Sequence, residues 1–317
     1  MKIVVAGGTG QLGTLVARAH QAAGDEVVVL SRAVREAPWR VVAWDAKRLG
    51  SWAAEVDGAD VVINLAGRSV NCRYTPENRR AIIDSRVDST RVVGAAIAAA
   101  VRPPKVWIQM STATIYAHRY DAANDELTGI IGGGEPGVPE TWRFSIDVVK
   151  AWERAVDEAE TPGTRKVKLR SAIVMAPGAG GPFDILLRLV RFGLGGHVGD
   201  GRQYVSWVHG DDFVRAVDQV IRDESLEDAV NVAAPNPLPN AEFMRELRAA
   251  WGMPVGLPAP GPLLEVGARV MGTETELALK SRRVVCAKLA GTGFAFAFPS
   301  WDAAARDLCA RVRRGEE

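Results

Sequence analysis

Lys2-Ile3-Val4-Val5-Ala6-Gly7-Gly8-Thr9-Gly10-Gln11-Leu12-Gly13 opens the chain with a short apolar run that breaks into a glycine-rich turn. The run reads as a buried strand, and the stretch Thr14 to Ala23 beyond the turn has the apolar spacing of an amphipathic helix. Gly24-Asp25 then leads into a second apolar run, Glu26 to Leu30. Glycines at 7, 10 and 13 between a strand and a helix form a dinucleotide-binding signature. Gly7 permits the tight turn, Gly10 lets the backbone approach a pyrophosphate, and Gly13 lets the helix pack against the strand. The first N–H groups of the helix then face the phosphates, with Thr9, Gln11 and Leu12 in the same turn.

The second strand ends in Ser31-Arg32, where a domain selective for NAD would carry an acidic residue for the ribose 2′-hydroxyl. A hydroxyl and an Arg at that point, with no acid, favour a 2′-phosphate. The expected cofactor is therefore NADP(H) in preference to NAD(H), although Arg32 also fits a solvated loop charge.

Apolar runs continue to alternate with helical patterns, as a doubly wound parallel sheet requires. Strands are expected over 2–6, 26–30, 40–43, 60–64, 105–110 and 166–170, and helices over 11–23, 48–56, 76–100 and 141–159. After residue 171 the texture changes to glycine-rich loops, short helices and a proline-rich stretch between Pro254 and Pro262. The fold class expected is α/β, a Rossmann doubly wound sheet over 1–171 with a smaller α/β substrate lobe over 172–317.

Composition bounds the function. The 317 residues are 47% hydrophobic and 24% charged with a formal net charge of +1. That is ordinary globular material, and the balance recommends neither nucleic acid nor an anionic membrane as partner. A small-molecule substrate is the expected partner. Cys72, Cys286 and Cys309 are odd in number and widely spaced, with no metal-binding interval. Together with the absence of a membrane-length apolar run or a signal peptide pattern, this predicts a cytoplasmic location.

With these features the chain resembles the extended short-chain dehydrogenase/reductases, and among them an atypical branch of NAD(P)-dependent epimerase-family proteins. The residues that carry the resemblance include Gly7 to Gly13, Asn64-Leu65-Ala66-Gly67, Ser85-Arg86, Trp152-Glu153, Arg170-Ser171 and Trp207-Val208-His209 with Asp212. Pro262 to Leu308 looks like the small capping domain of that branch. The resemblance implies NADP(H) binding, with Leu65, Ala66 and Gly67 on the adenosine side, Arg86 near the cofactor and Val174 near the nicotinamide. It also implies pairing of two copies through helices such as 76–100 and 141–159.

Ordinary members use a Tyr and a Lys four residues apart on one helix, where a nearby ammonium lowers the phenol pKa so that it exchanges a proton as hydride moves. Here four residues before Lys150 stands Ile146, and counting from Glu153 instead puts Ser145 and Val149 at the two positions. The Tyr is absent in either register. Ser111 or Thr112, at the end of the fifth strand, is the expected holder of a substrate carbonyl. Tyr116 is the candidate substitute proton donor, with a structural phenol as the alternative, and Lys150 is either its partner or a surface lysine. His209 reads as a structural side chain joining the two lobes. Two functions are open at this point: an NADP(H)-dependent oxidoreductase or epimerase acting on a carbonyl or alcohol, and a cofactor-binding sensor that has lost its chemistry.

Overall fold

A computed structural model describes residues 1–261 and 274–316, with Leu264, Arg269 and Gly272 between them. Seven parallel strands form the main sheet: β1 (Lys2–Ala6), β2 (Glu26–Ser31), β3 (Arg40–Ala43), β4 (Val61–Asn64), β5 (Val106–Thr112), β6 (Arg165–Ser171) and β10 (Asp228–Val232), in the spatial order β10-β6-β5-β4-β1-β2-β3. β1, β2 and β4 bury almost every residue, because a parallel sheet covered on both faces needs continuous apolar strands. α1 (Gln11–Ala22) and α5 (Gly210–Arg222) pack on one face around Val16, Phe213 and Val217, while α2 (Pro76–Ala99) and α3 (Glu140–Asp157) pack on the other around Val93, Ile97 and Val156.

From β1 the chain winds outward through β2 to β3, then returns to lay β4 on the other flank of β1. That reversal opens a crevice beyond the carboxyl ends of β1 and β4, the place where open α/β sheets bind ligands.

The four long helices and six strands expected from the sequence lie within a residue or two of the observed ones, with one exception. The helix expected over 48–56 is a short 3-10 turn, Ser51–Glu55, whose backbone is held by bonds such as Ala53 N–H to Gly50 O at 3.0 Å. The sequence pattern also gives no warning of β10, which pairs with β6 and carries the main sheet past the expected boundary at 171.

The remaining elements form a second layer at one end of the sheet. β7 (Ile173–Met175) pairs in parallel with β9 (Trp207–His209), and β8 (Tyr204–Val205) pairs antiparallel with β11 (Leu238–Pro239). Their core includes Phe183 on α4 (Pro182–Arg191), Phe243 on α6 (Asn240–Trp251), and Trp301 and Leu308 on the C-terminal helix Trp301–Arg313. Trp301 stacks on Phe243 with ring centroids 4.0 Å apart and donates its indole N–H to the Phe243 carbonyl at 2.8 Å. The capping segment expected over 262–308 lies partly outside the described residues. From residue 274 onward it runs back across the sheet edge. His209 joins the layers as expected: it caps α5 by accepting the Asp211 N–H at 3.1 Å, and its other ring nitrogen lies 3.1 Å from Asp307.

Candidate functional site

The crevice starts at the glycine turn. Gly7 has φ +73 and donates its N–H to Leu30 O at 2.9 Å, and a Cβ there would stand 2.7 Å from the Ala66 Cα. Only glycine lets the turn after β1 lie against the turn after β4. At Gly13 a Cβ would fall 2.3 Å from the Gly8 Cα, so the helix can approach the strand only with hydrogen at that position. Gly10 faces open space at the start of α1, where no side chain caps the helix and no acid sits in the first turn. Uncapped N–H groups at a helix start, with glycine beside them, accept an anionic pyrophosphate.

The neighbouring residues complete the cradle. Thr9 is exposed, 3.4 Å from the Ser31 hydroxyl, which itself donates to Ala33 O at 2.9 Å. Arg32 is exposed at the end of β2 and makes no hydrogen bond or ion pair among the described residues. Leu65 is tied to Ala6 O at 2.9 Å, and Ala66 donates its N–H to the buried Asn64 side chain at 3.0 Å. Gln11 turns away from the opening. Its amide donates to Ala176 O and Pro177 O, both at 3.3 Å, and so fastens the fingerprint helix to the loop after β7. Leu12 is partly buried against the core and Val174 lies buried in β7. Of the residues expected to hold the cofactor, Gly7, Thr9, Gly10, Ser31, Arg32, Leu65 and Ala66 thus lie along one edge of the sheet while Gln11 turns away, and the bare glycine cradle fits a dinucleotide.

A cavity of about 250 Å³ adjoins that edge, between the end of β5, α2, α3 and the segment after residue 274. Ser111 lines it, but donates its hydroxyl to Glu153 Oε1 at 2.6 Å. Glu153 also accepts Arg170 Nε at 2.8 Å and Nη2 at 2.7 Å, forming a buried network behind the cavity wall. The same network captures Tyr116, which accepts from Arg170 Nη1 at 3.1 Å and donates to Asn231 at 2.9 Å. Tyr116 is 2% exposed, burial pushes its phenol pKa upward, and it does not line the cavity. It is a structural phenol, and the expectation that it donates a proton to substrate is corrected accordingly. Lys150 is likewise not brought to the cavity: its ammonium donates to Gly132 O at 3.0 Å, and Lys150 does not line the cavity.

The cavity holds a different phenol. Tyr74, in the loop that Thr75 and Pro76 convert into α2, places its OH 3.3 Å from the Ser145 hydroxyl. Ser145 donates to Glu276 through a very short bond, and Glu276 Oε1 stands 3.6 Å from Arg282 Nη2. Arg282 Nε in turn donates to the Thr114 hydroxyl at 3.3 Å. Burial raises the Tyr74 pKa to about 12 and pushes the Glu276 carboxyl upward, so both hold their protons more firmly than in water. Lys280, whose ammonium donates to Thr114 O at 2.7 Å, is lowered by burial to about 8.

Arg86 projects from α2 into the same cavity. Its Nη1 donates to Arg68 O at 2.9 Å and Ile82 O at 3.1 Å, its guanidinium lies 5.0 Å above the Trp152 ring, and burial lowers its pKa to about 10. Sequence reasoning missed Tyr74, Glu276 and Arg282. The one signal available was the register anchored on Glu153, which puts Ser145 where ordinary members have their Tyr. No local spacing links residues 131 apart, as Ser145 and Glu276 are.

Known proteins share this fold. The pattern of the NAD dependent epimerase/dehydratase family matches residues 3–233, and that of a domain of unknown function, DUF1731, matches 259–308. The epimerase family protein SDR39U1 of Mus musculus is 31% identical over 98% of this chain and 100% of its own length. The epimerase family protein YfhF of Bacillus subtilis is 28% identical over 98% of each. A crystal structure of human SDR39U1 with NADPH superimposes with a TM-score of 0.84 at 28% identity, covering 98% of this chain and 99% of that one.

Proposed function

Because the chain belongs to the NAD dependent epimerase/dehydratase family, as an atypical extended short-chain dehydrogenase/reductase with a C-terminal capping domain, we propose that it is an NADP(H)-dependent oxidoreductase or epimerase acting on a carbonyl or alcohol in a small molecule. The observation that carries this reading is the meeting of two features at one sheet edge: a glycine cradle open to a pyrophosphate, and beside it a cavity bordered by a phenol.

When bound, NADP(H) supplies or takes a hydride. Gly7, Gly10 and the start of α1 hold its phosphates, and Leu65 and Ala66 flank the adenosine. Arg32, exposed and without a protein partner among the described residues, grips the 2′-phosphate. On oxidation Tyr74 takes the proton of the substrate alcohol as it gives its own to Ser145, and Ser145 passes its proton to Glu276, the direction in which the Ser145–Glu276 bond already points. The reverse reaction runs the protons the other way. Because the Ser111 proton is committed to Glu153, Ser111 meets substrate as an acceptor, and it suits a hydroxyl better than a carbonyl.

Calorimetry with NADPH and NADH, followed by turnover assays over a carbonyl panel, tests the reading. Arg32→Ala should weaken NADPH at least tenfold and leave NADH nearly unchanged, the loss expected for one charge-assisted contact of about 1.5–3 kcal/mol. Equal weakening of both would refute the 2′-phosphate role. A sensor without chemistry is the second reading, favoured by the missing Tyr–Lys pair on α3. Tight NADPH binding with an inert Tyr74 would support it.

A further inference from the structure

Several cations drawn out of water in this molecule are matched by acids: Arg170 by Glu153, Arg282 by Glu276, and Lys168 by Asp157 and Asp228. Lys280, whose ammonium is spent on the Thr114 carbonyl, and Arg86 depart from that pattern. No carboxylate pairs with Arg86 among the described residues, and Nη1 alone is engaged, by two backbone carbonyls. Nε and Nη2, which form one edge of the guanidinium, have no acceptor among the described residues. Arg86 is partly buried, and a charge drawn out of water without a counter-charge is costly. A second donor nearby is also unused, for the buried indole N–H of Trp152 has no partner among the described residues, and Trp152 lines the cavity beneath the Arg86 guanidinium.

The end of β5 and the chain from Tyr74 to Arg282 line part of the cavity with polar groups, and apolar side chains line the rest. Val70, Ile82, Phe144 and Val148 contribute walls, and the cavity of about 250 Å³ lies at the small end of ligand sites. It offers room for a compact body rather than a nucleotide sugar. The open edge of Arg86, two N–H groups side by side, matches the two oxygens of a carboxylate.

From this geometry we infer that the cavity takes a small substrate with an apolar body and a single carboxylate, which Arg86 binds through Nε and Nη2. The inference rests on the reading above only in treating this cavity as the substrate site. It moves Arg86 from the cofactor, where family resemblance alone puts it, to the substrate.

The test is calorimetric titration of the full chain, with and without NADPH, using benzoate and hexanoate as probes and benzyl alcohol and hexanol as their neutral counterparts. The carboxylates should bind about tenfold or more tightly than the alcohols, as one charge-assisted contact requires. Arg86→Met should erase that preference with NADPH affinity retained, and Arg86→Lys, which keeps the charge and the helix, should restore part of it. Equal affinity for carboxylates and alcohols, or tighter binding of UDP-glucose than of either carboxylate, would overturn the inference. So would loss of NADPH affinity in Arg86→Met, which would return the residue to the cofactor. A carboxylate preference in a protein that binds neither NADPH nor NADH would sustain the anion site and overturn the oxidoreductase reading alone.

Discussion

Tyr74 and Tyr116 are two phenols with different fates, and the difference lies in what touches each hydroxyl. Tyr116 spends its donor on Asn231 and its acceptor on Arg170, deep in the core. Among the described residues Tyr74 has only the Ser145 hydroxyl at its OH, and it borders a cavity. Tyr74→Phe should therefore lower turnover by about 10²–10⁴, the usual value of a general acid, with NADPH affinity preserved. Tyr116→Phe should lower stability and leave the reaction rate in place. The pair is checked by steady-state kinetics alongside urea unfolding.

Lys280 gives a pH prediction at the same scale. Its folded pKa of about 8 lies below the ordinary 10.5, so between those values the unfolded chain binds more protons and stability gained from this group rises with pH. Below pH 8 both states are protonated and the penalty of burying the charge is constant. Unfolding free energy measured from pH 7.5 to 10.5 should climb more steeply in the native protein than in Lys280→Met.

At the scale of elements, α3 is held to the sheet by ions as well as by apolar packing. Glu153 on α3 meets Arg170 on β6 and Ser111 on β5, so one carboxylate ties a helix to two strands. Glu153→Gln should cost about 3 kcal/mol, since half of a buried pair is left behind, and should shift the urea midpoint accordingly. Elements also set what was legible in the sequence. β1, β2 and β4 announced themselves as apolar runs because both faces of a parallel sheet are covered. β10 stayed hidden because Asp228-Ala-Val-Asn-Val carries two polar residues, one of which, Asn231, turns out to bind Tyr116 and Val285 O. The 48–56 stretch is too short and too weakly patterned to distinguish an α-helix from a 3-10 turn.

Over the whole molecule, the cradle was readable because its residues are contiguous, whereas the cavity was not, because its polar chain joins α2, α3 and the far end of the chain. Asp212 shows how the far end is fixed. Wholly buried on α5, it accepts the N–H groups of Ala297 and Phe298, each at 2.8 Å, and pairs with Arg215. Asp212→Ala would strand two N–H groups at a cost of about 2–4 kcal/mol. Hydrogen exchange should then quicken first at residues 297 and 298, and a uniform change across the molecule would count against this clasp.

The distance along the chain between Ser145 and Glu276 also has a meaning in time. A ribosome that has released β10 has already delivered every strand of the main sheet and the whole glycine cradle, yet Glu276 and Arg282 are still to be made. Under the proposed mechanism, holding a nucleotide during synthesis can thus precede the ability to use it, because the segment around Glu276 that arms the site emerges well after the cradle.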